Sequence, residues 1–148
     1  DMGWVVHKHG LLYSQEYGWD ARFEALVSQI AADFINNYNP KRERCWIAEM
    51  NGEIVGSIFV VEGSEDTAKL RLLIVDPKAR GLGLGSQLVE ECINFSRQAG
   101  YKKLVLWTNS VLKEARHIYQ KKGFQLVNEE KHHSFGHDLV GETWELLL

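Results

Sequence analysis

Three glycines at alternate positions punctuate the run Arg80-Gly81-Leu82-Gly83-Leu84-Gly85-Ser86, which lies between an apolar stretch, Leu72 to Val75, and a helix-forming one, Ser86 to Gln98. Glycine lets a backbone turn without Cβ clashes and brings successive N–H groups against a ligand, while a following helix adds the positive end of its dipole. Such a loop suits an anion, and a pyrophosphate best of all. The bland alternative is a turn that caps a helix, for which one glycine suffices. The spacing is neither the dinucleotide fingerprint G-x-G-x-x-G nor the P-loop G-x-x-x-x-G-K-[ST]. Six histidines also invite a metal reading through His7, His9, His132, His133 and His137. No cysteine or carboxylate stands at firm ligand spacing beside them, so no metal is expected.

The elements that must position these residues follow from patterning. Leu26, Val27, Ile30 and Phe34 recur with Phe23 at helical spacing after Asp20, a capping residue, and Asn36 to Pro40 closes that helix. Cys45 to Glu49 and Ile54 to Val61 read as strands of a hairpin joined at Asn51-Gly52, with Lys69 to Val75 as a third strand. The helix after the glycine loop buries Leu88, Val89, Cys92, Ile93 and Phe95 and stops at Gly100. Tyr101 to Thr108, an almost unbroken apolar run, predicts a strand buried on both faces. Lys113 to Lys122 predicts a helix, and Phe124 to Val127 and Thr143 to Leu148 two last strands. At the start, Trp4 to His7 reads as a short strand and Gly10 to Tyr17 as a short helix or turn ending at Gly18. The order is β-α-α-β-β-β-α-β-α-β-β, an α/β chain with about seven strands in a mixed, mostly antiparallel sheet and about four helices on its faces.

Composition bounds the function. The 148 residues, 45% hydrophobic, suffice for one domain that buries roughly 70% of its unfolded surface without staples. A net charge of −3, with no long basic run, argues against direct nucleic-acid binding. No segment has the length of a membrane span or the layout of a signal peptide, and Cys45 and Cys92 lie in apolar patterns as free thiols. A cytoplasmic protein is expected.

The R-G-x-G-x-G loop resembles that of the GNAT superfamily of N-acetyltransferases, and the element order is similar to the GNAT fold. A second motif of that family, A-x-x-x-Y-x-x-x-G-F, stands at Ala115, Tyr119, Gly123 and Phe124. More narrowly, Gly3-Trp4-Val5-Val6, Glu16-Tyr17-Gly18-Trp19-Asp20, Leu106-Trp107-Thr108-Asn109 and His132-His133-Ser134-Phe135-Gly136 resemble the acetyltransferase half of proteins that join it to a MarR-type regulator. The resemblance implies acetyl-CoA as cosubstrate and a primary amine, of a small molecule or of a peptide, as acceptor. A MarR-type partner or a homodimer is compatible with it. So is an acetyl-CoA sensor without turnover.

Carried over residue by residue, the resemblance puts the pyrophosphate on the amides of Arg80, Gly81, Leu82, Gly83, Leu84, Gly85 and Ser86, with the Arg80 side chain adding charge. The pantetheine arm would run beside the backbone of Leu73, Ile74 and Val75, with an N–H near Ile74 polarising the carbonyl. Tyr119 matches the family's proton donor to the departing thiolate, a phenol that stays neutral at pH 7; otherwise it is a packed core tyrosine. Asn109 either hydrogen-bonds the pantetheine amides or caps the next helix. Two departures stand out. Leu112 replaces the asparagine that many relatives carry three residues before the motif's alanine, and Lys69 stands where some carry a glutamate base. Glu49 and Glu62 are weak substitutes. Tyr17, Trp19, His132 and His133 are the acceptor-site candidates, with Tyr13 and Phe135 beside them as pocket walls, in aromatic and His-rich segments that equally suit a minor core or a dimer contact. Arg116 with Lys121 and Lys122 suits either the coenzyme's 3′-phosphate or a solvated helix face.

Overall fold

A computed structural model describes residues 1–148. The chain begins with two helices, α1 (Met2–Tyr17) and α2 (Ala21–Asn36), and the meander β1 (Arg44–Met50), β2 (Glu53–Glu62) and β3 (Thr67–Val75) follows. A short 3₁₀ turn, Pro77–Ala79, and the glycine loop lead into α3 (Leu84–Gln98). Then come β4 (Lys103–Asn109), α4 (Lys113–Lys121) and the hairpin β5 (Gln125–Ser134) and β6 (His137–Leu147). The six strands form one sheet in the order β1-β2-β3-β4-β6-β5, antiparallel except for the β3–β4 pair. No helix is long and apolar enough to cross a membrane.

The sheet has six strands rather than about seven because Trp4 to His7 is helical. Aromatic and β-branched residues there favour a strand locally, but Val5, His9 and Leu12 recur on the buried side of α1. Tertiary packing decides. Gly10 faces α2, where a Cβ would meet only the mobile carboxyl end of the exposed Glu24, at 2.8 Å. Asp20 caps α2 through its carboxylate, which accepts from the Arg22 N–H at 3.0 Å.

Alternation along the strands sends side chains to two cores. Ile58, Val60, Leu70, Leu104 and Leu106 pack with α3 and α4, whereas Phe59 turns to the opposite face and joins Val5, Phe23, Val27 and Phe34 under α1 and α2. Strand β4 is sealed along one face and only partly covered along the other, where Val105 is half-buried and Asn109 buried. Leu104 and Leu106 are sealed, but Trp107 is 50% exposed, because α1 and α2 leave its side of the sheet partly uncovered. The final strands are longer than their apolar tips predict. Polar residues from Asn128 to His133 continue β5, and the turn at Phe135 and Gly136 (φ 56° and 86°) reverses the chain. His132 and His133 therefore sit in a strand, on opposite faces, and not in a turn. Cys45 and Cys92 are unpaired; burial raises both thiol pKa values, that of Cys45 to about 12.

Phe59, fully buried and edge-on to Phe34 at 5.0 Å between centroids, ties the sheet to α2. Phe59→Ala is expected to cost about 3–5 kcal/mol of stability, read from the denaturant midpoint.

Candidate active site

The parallel ladder between β3 and β4 runs only from Thr67 opposite Lys103 to Leu70 opposite Leu106. Beyond it the strands part. A bulge causes the departure: between Ser57 and Phe59 the register on β3 jumps from Ile74 to Arg71, and Leu72 adopts φ 55°, a left-handed conformation rare for leucine. Arg71 to Val75 on one side and Trp107 to Asn109 on the other thus line a wedge instead of pairing.

Two cavities open on this wedge and share Tyr13, Leu73, Leu112 and Ala115 in their walls. The smaller, about 90 Å³, is bounded by Leu73, Ile74, Val75, Arg80, Gly85 and Ile118, with Glu16 and Tyr17 of α1 across from them. The larger, about 500 Å³, reaches from Tyr119 and Asn109 past Trp19 and Phe23 to Leu26 and Ile30 of α2.

The glycine loop adjoins the smaller cavity. None of the backbone N–H groups from Gly81 to Ser86 donates to a protein acceptor, and the first bond of the helix is Gln87 N–H to the Gly83 carbonyl at 3.1 Å. Gly81 and Gly83 hold φ 81° and 75°, and the space where their Cβ atoms would lie is open. A row of free N–H groups at the N-terminus of a fifteen-residue helix has the chemistry to receive an anion. Gly85 serves differently. A Cβ there would meet Ile118 Cδ1 at 2.9 Å, so this glycine lets α3 approach α4. Leu82 is exposed, Leu84 packs on the core and Ser86 is half-buried. The Arg80 guanidinium is engaged by Glu16 at 2.7 Å, and Lys8 reaches Asp76 at 3.0 Å, so α1 is pinned on either side of the 3₁₀ turn that leads into the loop.

Tyr119, 4% exposed, projects from α4 into the large cavity beside Phe124. Burial, and after it the neighbouring Tyr13 and Cys92, raise its pKa, so the phenol keeps its proton. Asn109, 3% exposed, ends β4. Its Oδ1 accepts from His132 Nε2–H at 2.7 Å, while Ser134 Oγ lies 2.9 Å from His132 Nδ1 and Trp107 flanks the ring. The Asn109 amide is thereby oriented, and it does not cap α4, whose N-cap is Leu112.

The other candidates lie as follows. Tyr17 lines the smaller cavity. Trp19 is 3% exposed and sits among Tyr13, Tyr17, Phe23 and Phe135, with part of its ring in the larger cavity wall. His133 points away from both cavities and pairs with Asp138 on the surface. Glu62 is engaged by Arg42, and Glu49 is exposed on the edge strand β1. Arg116 is bound to the buried Glu142 at 2.8 Å and Lys122 to Glu90 at 3.0 Å, while Lys121 is exposed and makes no ion pair. No group of three or more His, Cys, Asp or Glu side chains is placed to hold a metal.

The model of the acetyltransferase (GNAT) family matches residues 12–124. The chain belongs to that family. An uncharacterised N-acetyltransferase of Schizosaccharomyces pombe is 31% identical over 122 residues, which cover 81% of this chain and 74% of that protein. Some curated relatives are longer, and the chain spans 53% of human N-acetyltransferase 8B. The ribosomal-protein-alanine N-acetyltransferase of Brucella melitensis shares the GNAT fold at 18% identity, with a TM-score of 0.78 over 100% of this chain and 94% of that one. A GNAT family acetyltransferase of Elizabethkingia anophelis, solved with acetyl-CoA bound, is 23% identical, with a TM-score of 0.63 over 78% of this chain and 82% of its own.

Sequence reasoning missed one residue of this GNAT site, His9, and held another, Tyr13, only as a candidate for the acceptor-pocket wall. Tyr13 stands in the wall between the cavities, and His9 lines the larger one. Their signal, a helical i, i+4 spacing on the buried side of α1, was masked by the strand-like start of that segment. His9, 1% exposed, donates from Nδ1 to the Val5 carbonyl at 2.7 Å, and its Nε2 has no partner. Burial lowers its pKa to about 4 despite that hydrogen bond.

Since His9 is neutral in the fold and protonates near pH 6.5 once unfolded, its contribution is complete above pH 6.5 and fades as pH falls toward 4. Stability is expected to drop by about 1.4 kcal/mol per pH unit below pH 6.5. Denaturant midpoints between pH 7.5 and 5 check this, and His9→Gln should flatten the profile.

Proposed function

We propose that this chain transfers an acetyl group from acetyl-CoA to a primary amine. The observation that carries the reading is the row of free N–H groups from Gly81 to Ser86 beside cavities that lead to Tyr119. These residues fit the group. Bound acetyl-CoA supplies a thioester, an acetyl carbon already activated toward a nitrogen nucleophile. The loop amides hold the pyrophosphate, and Gly81 and Gly83 leave its approach clear. The backbone of Leu73, Ile74 and Val75, beyond the end of the β4 ladder, is available to an extended pantetheine arm as an added strand. Asn109, its carbonyl oxygen held by His132, offers its amide N–H groups to the same arm.

Tyr119 acts on the leaving group. As the amine nitrogen bonds to the acetyl carbon and the carbon–sulfur bond breaks, the phenol gives the sulfur a proton, and the proton lost by the nitrogen restores the balance. A phenol harder to ionise than a thiol makes that gift only as its own proton is replaced, which ties the two transfers together.

A MarR-type regulator as partner belongs to the same proposal. The four phrases that resemble such proteins are far apart in sequence, yet Val5, Trp19 and Phe135 share one cluster and His132 bonds Asn109 at its edge. Turnover is favoured over sensing alone by Tyr119, which a binding module has no need to aim into the cavity.

Two substitutions test the reading. Asparagine tolerates a left-handed conformation, so Gly83→Asn keeps the loop and fills the open space above the amides. Acetyl-CoA affinity by calorimetry should fall at least about tenfold, the loss expected when charge-assisted contacts go, with melting temperature unchanged. Tyr119→Phe retains the ring and removes the hydroxyl: kcat should fall by about a hundredfold or more while acetyl-CoA binding holds. A Tyr119→Phe protein that turns over like the parent assigns this residue to the core.

A further inference from the structure

The larger cavity carries charge of one sign. Its walls are mostly apolar and aromatic, its polar members include Arg71 and Lys69, and no aspartate or glutamate lines it. Arg71 and Lys69 stand two residues apart on β3, so both leave the same face of the sheet, the one on which their β2 neighbours Phe59 and Val61 pack toward α1 and α2. Neither takes part in an ion pair, whereas Arg22, Arg42, Arg80 and Arg116 all do. Arg71 is half-buried and lines the cavity, and an arginine held there without a counter-charge is a cation that an anion can pair with. Lys69 lies farther out, its stem against Gly63. It is also the residue at which the family resemblance leads one to expect a carboxylate base. The cavity thus presents cations where a base would have been negative.

We infer that the acceptor is a small amine with an apolar, aromatic-sized body and a carboxylate, the carboxylate pairing with Arg71 at the inner position and Lys69 at the outer one. This rests on the acetyl-transfer reading and gives it a substrate class. A cavity of about 500 Å³ suits a molecule of amino-acid size. A polyamine, with several ammonium groups, meets two cations and no carboxylate. The same cations and apolar walls favour the neutral amine, which is the nucleophilic form, in a cavity whose lining has no carboxylate to take its proton.

The test compares free phenylalanine with phenethylamine, which has the same body without the carboxylate, and with spermidine, reading thiol released from acetyl-CoA. Phenylalanine should be preferred in kcat/KM by about tenfold or more, and in Arg71→Gln the ratio should fall to within about twofold through KM, with Lys69→Gln intermediate. Calorimetry with N-acetylphenylalanine and N-acetylphenethylamine in the presence of coenzyme A reads the same preference without turnover. A carboxylate preference in binding that Arg71→Gln abolishes sustains the inference even when no amine is acetylated, a result that would count against acetyl transfer instead. Phenethylamine or spermidine used as well as phenylalanine overturns it, as does a carboxylate preference that survives both substitutions in folded protein, or an absence of binding by N-acetylphenylalanine.

Discussion

The parting of two parallel strands is the constraint on which the rest of this molecule depends. Had the β3–β4 ladder continued past Leu70 and Leu106, their backbones would have satisfied one another, and neither cavity would exist. The wedge is held open from three sides. The bulge at Leu72 turns β3 aside, α4 sets Tyr119 into the gap from one face, and α1 covers the other with Tyr13. A leucine in the left-handed region costs on the order of 1–3 kcal/mol, a strain that persists because Phe59 and Ile58, on the facing strand, are locked into separate cores. Backbone groups denied a partner in the sheet remain available to a ligand.

Helix α1 shows how far the site is a tertiary product. It lends Glu16 and Tyr17 to one cavity, His9 to the other and Tyr13 to both, and its two ion pairs bracket the 3₁₀ turn that leads into the glycine loop. Its strand-like opening, Trp4 to Val6, conceals it locally; only the presence of α2 and the sheet beneath makes the helical alternative better packed.

Legibility in the sequence followed the range of the interactions involved. The Asn51-Gly52 hairpin, α2 with its Asp20 cap, and the glycine loop before α3 are local patterns, and all three occur where periodicity and turn chemistry place them. Tyr119 and Asn109 were legible through motif resemblance, and the structure brings both to the large cavity. Features set by contacts distant in sequence were hidden. The Arg80–Glu16 pair, the close contact of Gly85 with Ile118 of α4, and the removal of His133 from the cleft by one residue of strand alternation all depend on partners that no local window contains. Trp107 belongs with them: its ring lies over Gly141, whose absent side chain leaves room for the indole on an otherwise open face.

The two cysteines bear on how this protein can be handled. Cys92 is sealed on the buried side of α3, and Cys45 is half-buried with its pKa at about 12, so neither offers thiolate near neutral pH. Electrophilic thiol reagents and mild oxidants find little to attack on the folded polypeptide. A chromogenic disulfide is therefore expected to colour slowly with the folded protein, and a faster rise to accompany its unfolding.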